Sequence, residues 1–161
     1  MSFKFKMESY PVASPSKLLA TDGGAHILNG VATVDLWNGA IVVDDGYKSF
    51  DQHEMSPATT TADGDVVLKA KVVDIEANGN YLVEVTEAKG VFLVYNAPVV
   101  EAEYTTEMKQ ASHYYVAADE EFRAHQLCAY DQFELSADGF SGTVEVNKEI
   151  TTVSGGKPVI A

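Results

Sequence analysis

The stretch FRAHQLCAYDQFELS, residues 122–136, holds the chain's one arginine, its one cysteine, one of its four histidines and an aspartate. Three chemistries suit those residue types. An imidazole that takes the proton of a neighbouring thiol makes a nucleophile. Imidazole, thiolate and carboxylate together ligate zinc. A guanidinium in acidic company clamps a carboxylate. Spacing decides among them. In a strand, alternate side chains face opposite ways, so His125 points with Leu127 and Ala129 while Cys128 points with Gln126 and Tyr130. Groups on opposite faces of a sheet cannot share a proton. The aromatic residues downstream favour strand over helix, and Cys128 then reads as a small buried hydrophobe.

Other chemistries lack their residues. A zinc site needs about four ligands in close pairs, and His26, His53, His113 and His125 share no such spacing. Carboxylates stand in glycine turns at Asp44-Asp45-Gly46, Asp63-Gly64-Asp65 and Asp138-Gly139. None has the spaced oxygens of an EF-hand loop, and Asp and Gly serve turns for conformational reasons alone. Asp63 and Asp65 are the better calcium candidates. No G-x-S-x-G, H-E-x-x-H, P-loop or G-x-G-x-x-G is present, and nothing selects one carboxylate pair as a glycosidase dyad. The residues leave an enzyme possible but unsupported, and no metal or cofactor is expected.

Charge narrows the partners. The chain has 161 residues and a net charge of −13, from 24 acids and 11 bases. Such a chain repels phosphate backbones and anionic lipid, so no nucleic-acid or membrane role is expected. No run of about 18 apolar residues spans a bilayer, and the first 17 residues lack the apolar core of a secretion signal. One cysteine forms no internal disulfide, which fits synthesis in a reducing cytoplasm. Residues 1–22 carry Lys4, Lys6 and Lys17 against Glu8 and Asp22, a balance of +1 that leaves −14 on the rest. A basic arm before an acidic body has an acidic surface to lie on, its neighbour's included; a frayed terminus is the alternative.

The elements that must position these residues are strands. After the arm, short β-type runs alternate with turn residues, and no internal repeat appears. VATVDL (31–36) and AIVVDD (40–45) flank Asn38-Gly39, which predicts a hairpin. DVVLKAKVVDIE (65–76) alternates up to Asn78-Gly79, and YLVEVTE (81–87) returns with Tyr81, Val83 and Val85 on one face, a second hairpin with its register fixed. VFLV in 91–97 is apolar on both faces, as in a sandwich or barrel. Residues 49–65 read as a polar loop, and 101–121 as a short helix or surface excursion. FRAHQLCAY, QFELS and TVEVNKEIT read as strands, with Asp138-Gly139 turning between the last two. The fold class is all-β: one antiparallel β-sandwich or small β-barrel at 23–153, an extended N-terminal arm at 1–22 and a C-terminal tail at 154–161. The tail opens on Gly155-Gly156 and is either disordered or docked outside the domain.

Candidate contact residues follow from exposure and type. Phe3, Lys4, Phe5 and Lys6 alternate well enough for the arm to add as an edge strand. Trp37, beside a turn, either caps the core or anchors a contact. Arg123 pairs with a carboxylate, either within the domain or across subunits.

One larger pattern carries a resemblance. NGAIVVDDG (38–46) sets an Asn-Gly before a valine-rich strand and a glycine turn; VFLVYNAPVVEAEY (91–104) is a strand ending at a proline before an acidic stretch with a tyrosine. FRAHQLCAYDQFELS then gives Phe122, Arg123, Ala124, Leu127, Asp131 and Phe133, and GTVEVNKEI (142–150) closes the domain. These residues resemble the head decoration, or auxiliary capsid, proteins of tailed bacteriophages, over most of residues 30–150. Asn147-Lys148 departs from the Gly-Lys more usual there, and the basic arm has no counterpart. The resemblance implies a virion protein that is not an enzyme and has no catalytic residues, made in the host cytoplasm. It would bind the major capsid protein on the head surface and associate with itself, a trimer favoured. The alternative is a β-sandwich module that binds carbohydrate or a host surface through exposed aromatics such as Trp37, Tyr47, Tyr114 or Tyr115.

Overall fold

The computed structural model describes residues 4–5, 13–17, 27–49, 52–58, 68–77, 79–95 and 114–160. Their strands are β1 (Lys4–Phe5), β2 (Ala13–Lys17), β3 (Ile27–Ala32), β4 (Ile41–Ser49), β5 (Gln52–Pro57), β6 (Leu68–Ile75) and β7 (Tyr81–Ala88), then β8 (Val91–Val94), β9 (Tyr114–Tyr115), β10 (Glu121–Gln126), β11 (Gln132–Leu135), β12 (Glu149–Ser154) and β13 (Lys157–Ile160). The fold is all-β. Five strands close a barrel in the order β10-β3-β5-β4-β8, and six form a curled sheet in the order β13-β12-β6-β7-β11-β2.

The barrel is filled by one side-chain set from each strand. Ala32, Val42, Met55, Phe92, Val94, Phe122 and Ala124 meet inside it with Leu36, Ala40 and Val116. Alternation sends the residues between them outward, so Ile41, Val91 and Leu93 leave the barrel wall and join Val72, Val83, Val85, Phe133, Leu135 and Ile150 of the sheet in a second core. That is why VFLV is apolar without interruption: β8 has a core on each side, and all four of its residues are buried. Gly30 makes room in the barrel, since a Cβ there would meet Phe122 Cζ at 2.6 Å and Met55 Sδ at 2.9 Å.

The hairpin around Asn78-Gly79 forms as the sequence predicts, with Val72 opposite Val83 and Ile75 opposite Tyr81. The one expected around Asn38-Gly39 does not. Strand β3 pairs with β10 and runs parallel to β5, while β4 pairs with β5 and β8. Residues 37–40 still turn, with Ala40 N–H donating to Trp37 O at 3.2 Å. Asn38 and Gly39 are both buried at the seam of barrel and sheet, where Gly39 faces Leu135 and Ala13. An Asn-Gly turn fixes a reversal of the chain but not which strands pair after it.

Three further differences concern the ends. The tail expected at 154–161 is part of the sheet: Gly155 and Gly156, at φ 58° and 83°, make the two-residue turn that pairs β12 with β13. Gly156 also exchanges backbone bonds with the barrel, accepting from Ile41 N–H at 2.9 Å and donating to Ala58 O at 3.0 Å. The closing strand expected at 142–150 begins only at Glu149; residues 142–148 are irregular, with a turn at Asn147 (φ 72°). Two pieces of the arm pair within their own chain, β1 with β9 and β2 with β11. Of residues 101–121, expected as a helix or excursion, 114–115 are strand and 101–113 lie outside the described residues; the polar loop expected at 49–65 contains β5 at 52–57, and its residues 50–51 and 59–65 lie outside the described residues.

Candidate functional site

Residues 122–136 are not one strand: β10 ends at Gln126 and β11 begins at Gln132. Leu127 N–H then donates to Val91 O at 3.1 Å and the chain crosses to the sheet. Asp131, buried, holds the crossing: its Oδ2 accepts from Cys128 N–H at 2.8 Å and its own carbonyl accepts from Val85 N–H at 2.8 Å. Tyr130 takes positive φ (72°) there. Burial raises the Cys128 thiol above its ordinary value, and the Asp131 carboxylate adds to the effect. A nucleophilic thiol needs the opposite shift.

His125 is 5% exposed, on the outward side of the barrel wall that faces the sheet core. Burial holds its pKa below the ordinary value, and the Arg123 charge lowers it further, against a hydrogen bond with the Leu93 backbone that raises it. Its ring meets Tyr95 edge-on at 6.2 Å. Among the described residues, His125 Nδ1 and Trp37 Nε1 are the buried side-chain atoms without a hydrogen-bond partner. His125 and Cys128 do not meet as acid and base.

A cluster that spacing alone did not single out lies where β4 and β5 meet at the barrel rim. By alternation Asp44 shares the inward face of Val42, and His53 that of Met55. Register shifts in β4 after Asp44 and after Tyr47 bend the strand over the rim. Asp44 Oδ2 lies 2.7 Å from His53 Nδ1, and Asp44 Oδ1 accepts from Gly46 N–H at 2.8 Å. The Tyr47 ring lies 4.3 Å from the His53 ring, tilted by 42°, and Tyr47 is 79% exposed. Alongside, Ser56 Oγ donates to Asp45 Oδ2, and Lys48 Nζ stands 3.5 Å from Asp119 Oδ1. The signal was present as Asp44-Asp45-Gly46-Tyr47, which as a sequence reads as a turn; only the β4–β5 register brings His53 to it.

The outward face of the sheet is a ladder of polar partners: Glu149 opposite Lys71, Lys71 opposite Glu84, and Glu84 opposite Gln132, whose amide donates to Glu84 at 3.0 Å. A shallow depression of about 220 Å³ lies over it, lined by Lys69, Lys71, Thr86 and Glu149. Lys69 and Lys89 both pair with Glu87, at 3.5 and 3.4 Å, and these cations hold its carboxyl below the usual value. Among the described residues no three His, Cys, Asp or Glu side chains gather as metal ligands.

The expected contact residues are dispersed. Arg123 is exposed on β10. Trp37 is half-buried, packs on the barrel core and has Lys157 Nζ 5.5 Å from its ring centre, so it caps the core. Lys4 and Phe5 form β1; Phe3 and Lys6 lie outside the described residues. Of the aromatics expected on a binding face, Tyr47 is exposed and Tyr115 is buried. No helix among the described residues is long and apolar enough to cross a membrane. No family model, curated protein or solved structure matches the chain.

Proposed function

We propose that the chain is a decoration protein of a tailed-bacteriophage head, which binds the capsid lattice and stabilises it through protein–protein contacts without catalysis. The observation that carries this reading is the placement of the Phe-Arg-Ala signature. Phe122, Ala124, Leu127, Asp131 and Phe133 are all buried, filling the two cores or fixing the crossing between them. Only Arg123 projects to solvent. A signature spent on scaffold marks a fold kept for its shape, which suits a protein whose work is done by its surface.

The edges limit how that surface is used. The outer strands of the sheet, β2 and β13, each contain a proline, Pro15 and Pro158. A proline has no N–H to offer an incoming strand. Side-chain faces, repeated over a lattice, are the better contact, since many weak contacts add through multivalency. The test is co-sedimentation of the purified chain with mature heads of a phage that encodes it. Saturable binding at a fixed ratio to the major capsid protein is expected. Heads that leave the chain in the supernatant at micromolar concentration overturn the reading and move glycan binding to the front.

A further inference from the structure

His125 stands where the barrel is joined to the sheet. It lies on β10, the strand that closes the barrel, paired on one side with Ile27 of β3 and on the other with Leu93 of β8. Two residues on, Leu127 enters the sheet core, its N–H bound to Val91 O at 3.1 Å. The imidazole is 5% exposed, and its Nδ1 has no hydrogen-bond partner. Its cover is thin. Ile27, Tyr95 and Gln126, around this end of the ladder, are each half-buried, and Ile27 is the last residue of β3 to pair with β10.

Among the described residues, no charge around the ring welcomes a second proton. On β10 the charge that acts on it is Arg123, of the wrong sign. Strand β8 and the residue after it supply the Leu93 backbone and the Tyr95 ring, edge-on at 6.2 Å, and β3 supplies Ile27. The Asp131 carboxylate, beyond the crossing, is bound to Cys128 N–H at 2.8 Å. A proton on Nδ1 would make a buried charged donor with no acceptor. Burial, against the Leu93 hydrogen bond and with the Arg123 charge added, holds the imidazole below its ordinary pKa. Where the end of the ladder frays, the ring reaches water and takes up its proton at about pH 6.5. Acid therefore favours the frayed form over the closed one.

We propose that His125 is an acid-sensitive latch: in mild acid its protonation releases the end of β10 from β3 and β8, loosening the joint between barrel and sheet while the rest of both stays folded. Opening here needs only the pairs of Ala124, His125 and Gln126 to break, so it costs less than unfolding the domain. The latch stands whether or not the chain decorates a phage head.

The test is amide hydrogen exchange of the full ¹⁵N-labelled chain at pH 7.5 and 5.5, each rate divided by its intrinsic rate at that pH. Tyr95 N–H, bound to Arg123 O, and Leu127 N–H report on the latch. Val116 N–H, bound to Leu36 O, and Val72 N–H, bound to Lys148 O, report on the barrel away from this end and on the sheet. The opening constant at Tyr95 and Leu127 should rise by up to about tenfold, since an exposed imidazole of pKa about 6.5 takes up its proton over that range. Val116 and Val72 should not change, and His125→Gln should abolish the rise. Equal rises at all four amides show that acid acts on the whole fold and overturn the latch. No rise at Tyr95 and Leu127, or a rise kept in a folded His125→Gln, overturns it too. Should His125→Gln fail to fold, the ¹⁵N shifts of the wild-type ring decide. A ring still neutral at pH 5.5, with Tyr95 and Leu127 exchanging faster, upholds the latch; one that titrates near its ordinary value, with protection unchanged, overturns it.

Discussion

Substituting Gly39 by alanine tests the account of the seam between barrel and sheet. Gly39 has φ of 91°, and a Cβ there would stand 2.3 Å from Leu135 Cδ1 and 3.1 Å from Ala13 Cβ. Left-handed backbone costs a non-glycine residue about 1–2 kcal/mol, and overfilling a packed site costs about 1–3 kcal/mol more. The sum, about 2–5 kcal/mol, is a large share of the roughly 5–15 kcal/mol by which a domain is stable. At about 2–4 °C per kcal/mol for a chain of this size, Tm should fall by roughly 4–20 °C. Gly79→Ala is the control, since its φ is 87° but nothing lies within 4 Å of its Cβ. It carries the same backbone strain and the same gain from a stiffer unfolded chain, so the difference isolates the clash at about 1–3 kcal/mol. Urea unfolding of both variants, and of Leu135→Ala alone and combined with Gly39→Ala, completes a cycle. The pair should couple, because shortening Leu135 relieves the clash. Equal losses for Gly39→Ala and Gly79→Ala, or an additive cycle, would refute the reasoning.

Two other predictions use the buried polar groups. His125 is held below its ordinary pKa, so as pH falls through about 6.5 the unfolded chain takes up a proton that the folded chain refuses. Stability should drop on that account by at most about 1.4 kcal/mol per pH unit. His125→Gln should flatten the urea-midpoint profile between pH 7.5 and 5.5, and parallel profiles would count against a buried neutral imidazole. Asp131→Ala removes the acceptor of Cys128 N–H and should cost about 1–3 kcal/mol by urea unfolding. It should also let Cys128 react with iodoacetamide at lower pH, because a carboxylate that opposes the thiolate is gone. An unchanged pH profile of alkylation would leave burial as the whole cause.

The sequence was legible wherever one local pattern decided the outcome. Alternation on both sides of Asn78-Gly79 gave β6 and β7 with their register, and the apolar run of β8 announced cover on both faces. FRAHQLCAY and QFELS read as strands, but β10 ends at Gln126, so His125 and Cys128 are parted by the crossing after Gln126 and not by alternation along one strand. What failed depended on partners far along the chain. Asn38-Gly39 is a good hairpin signal, yet the strands before and after it choose β10, β5 and β8 instead, because barrel closure buries more apolar surface than a lone hairpin. Ser154-Gly155-Gly156-Lys157 held a hairpin signal, hidden because the run after it is short and ends the chain. The rim cluster was out of reach, since Asp44 and His53 are joined by β-bulges that leave no periodic mark.

The pairing of β2 with β11 has a consequence for how the chain comes into being. Strand β2 pairs with a partner more than a hundred residues later; the barrel likewise waits for β10. Until β10 is made, β3, β4, β5 and β8 form an unclosed ribbon, and until β11 is made β7 has a bare edge. Completion therefore waits for both. Any surface assembled from distant segments exists only once β10 and β11 have paired, so products truncated before them cannot compete with complete ones for a partner.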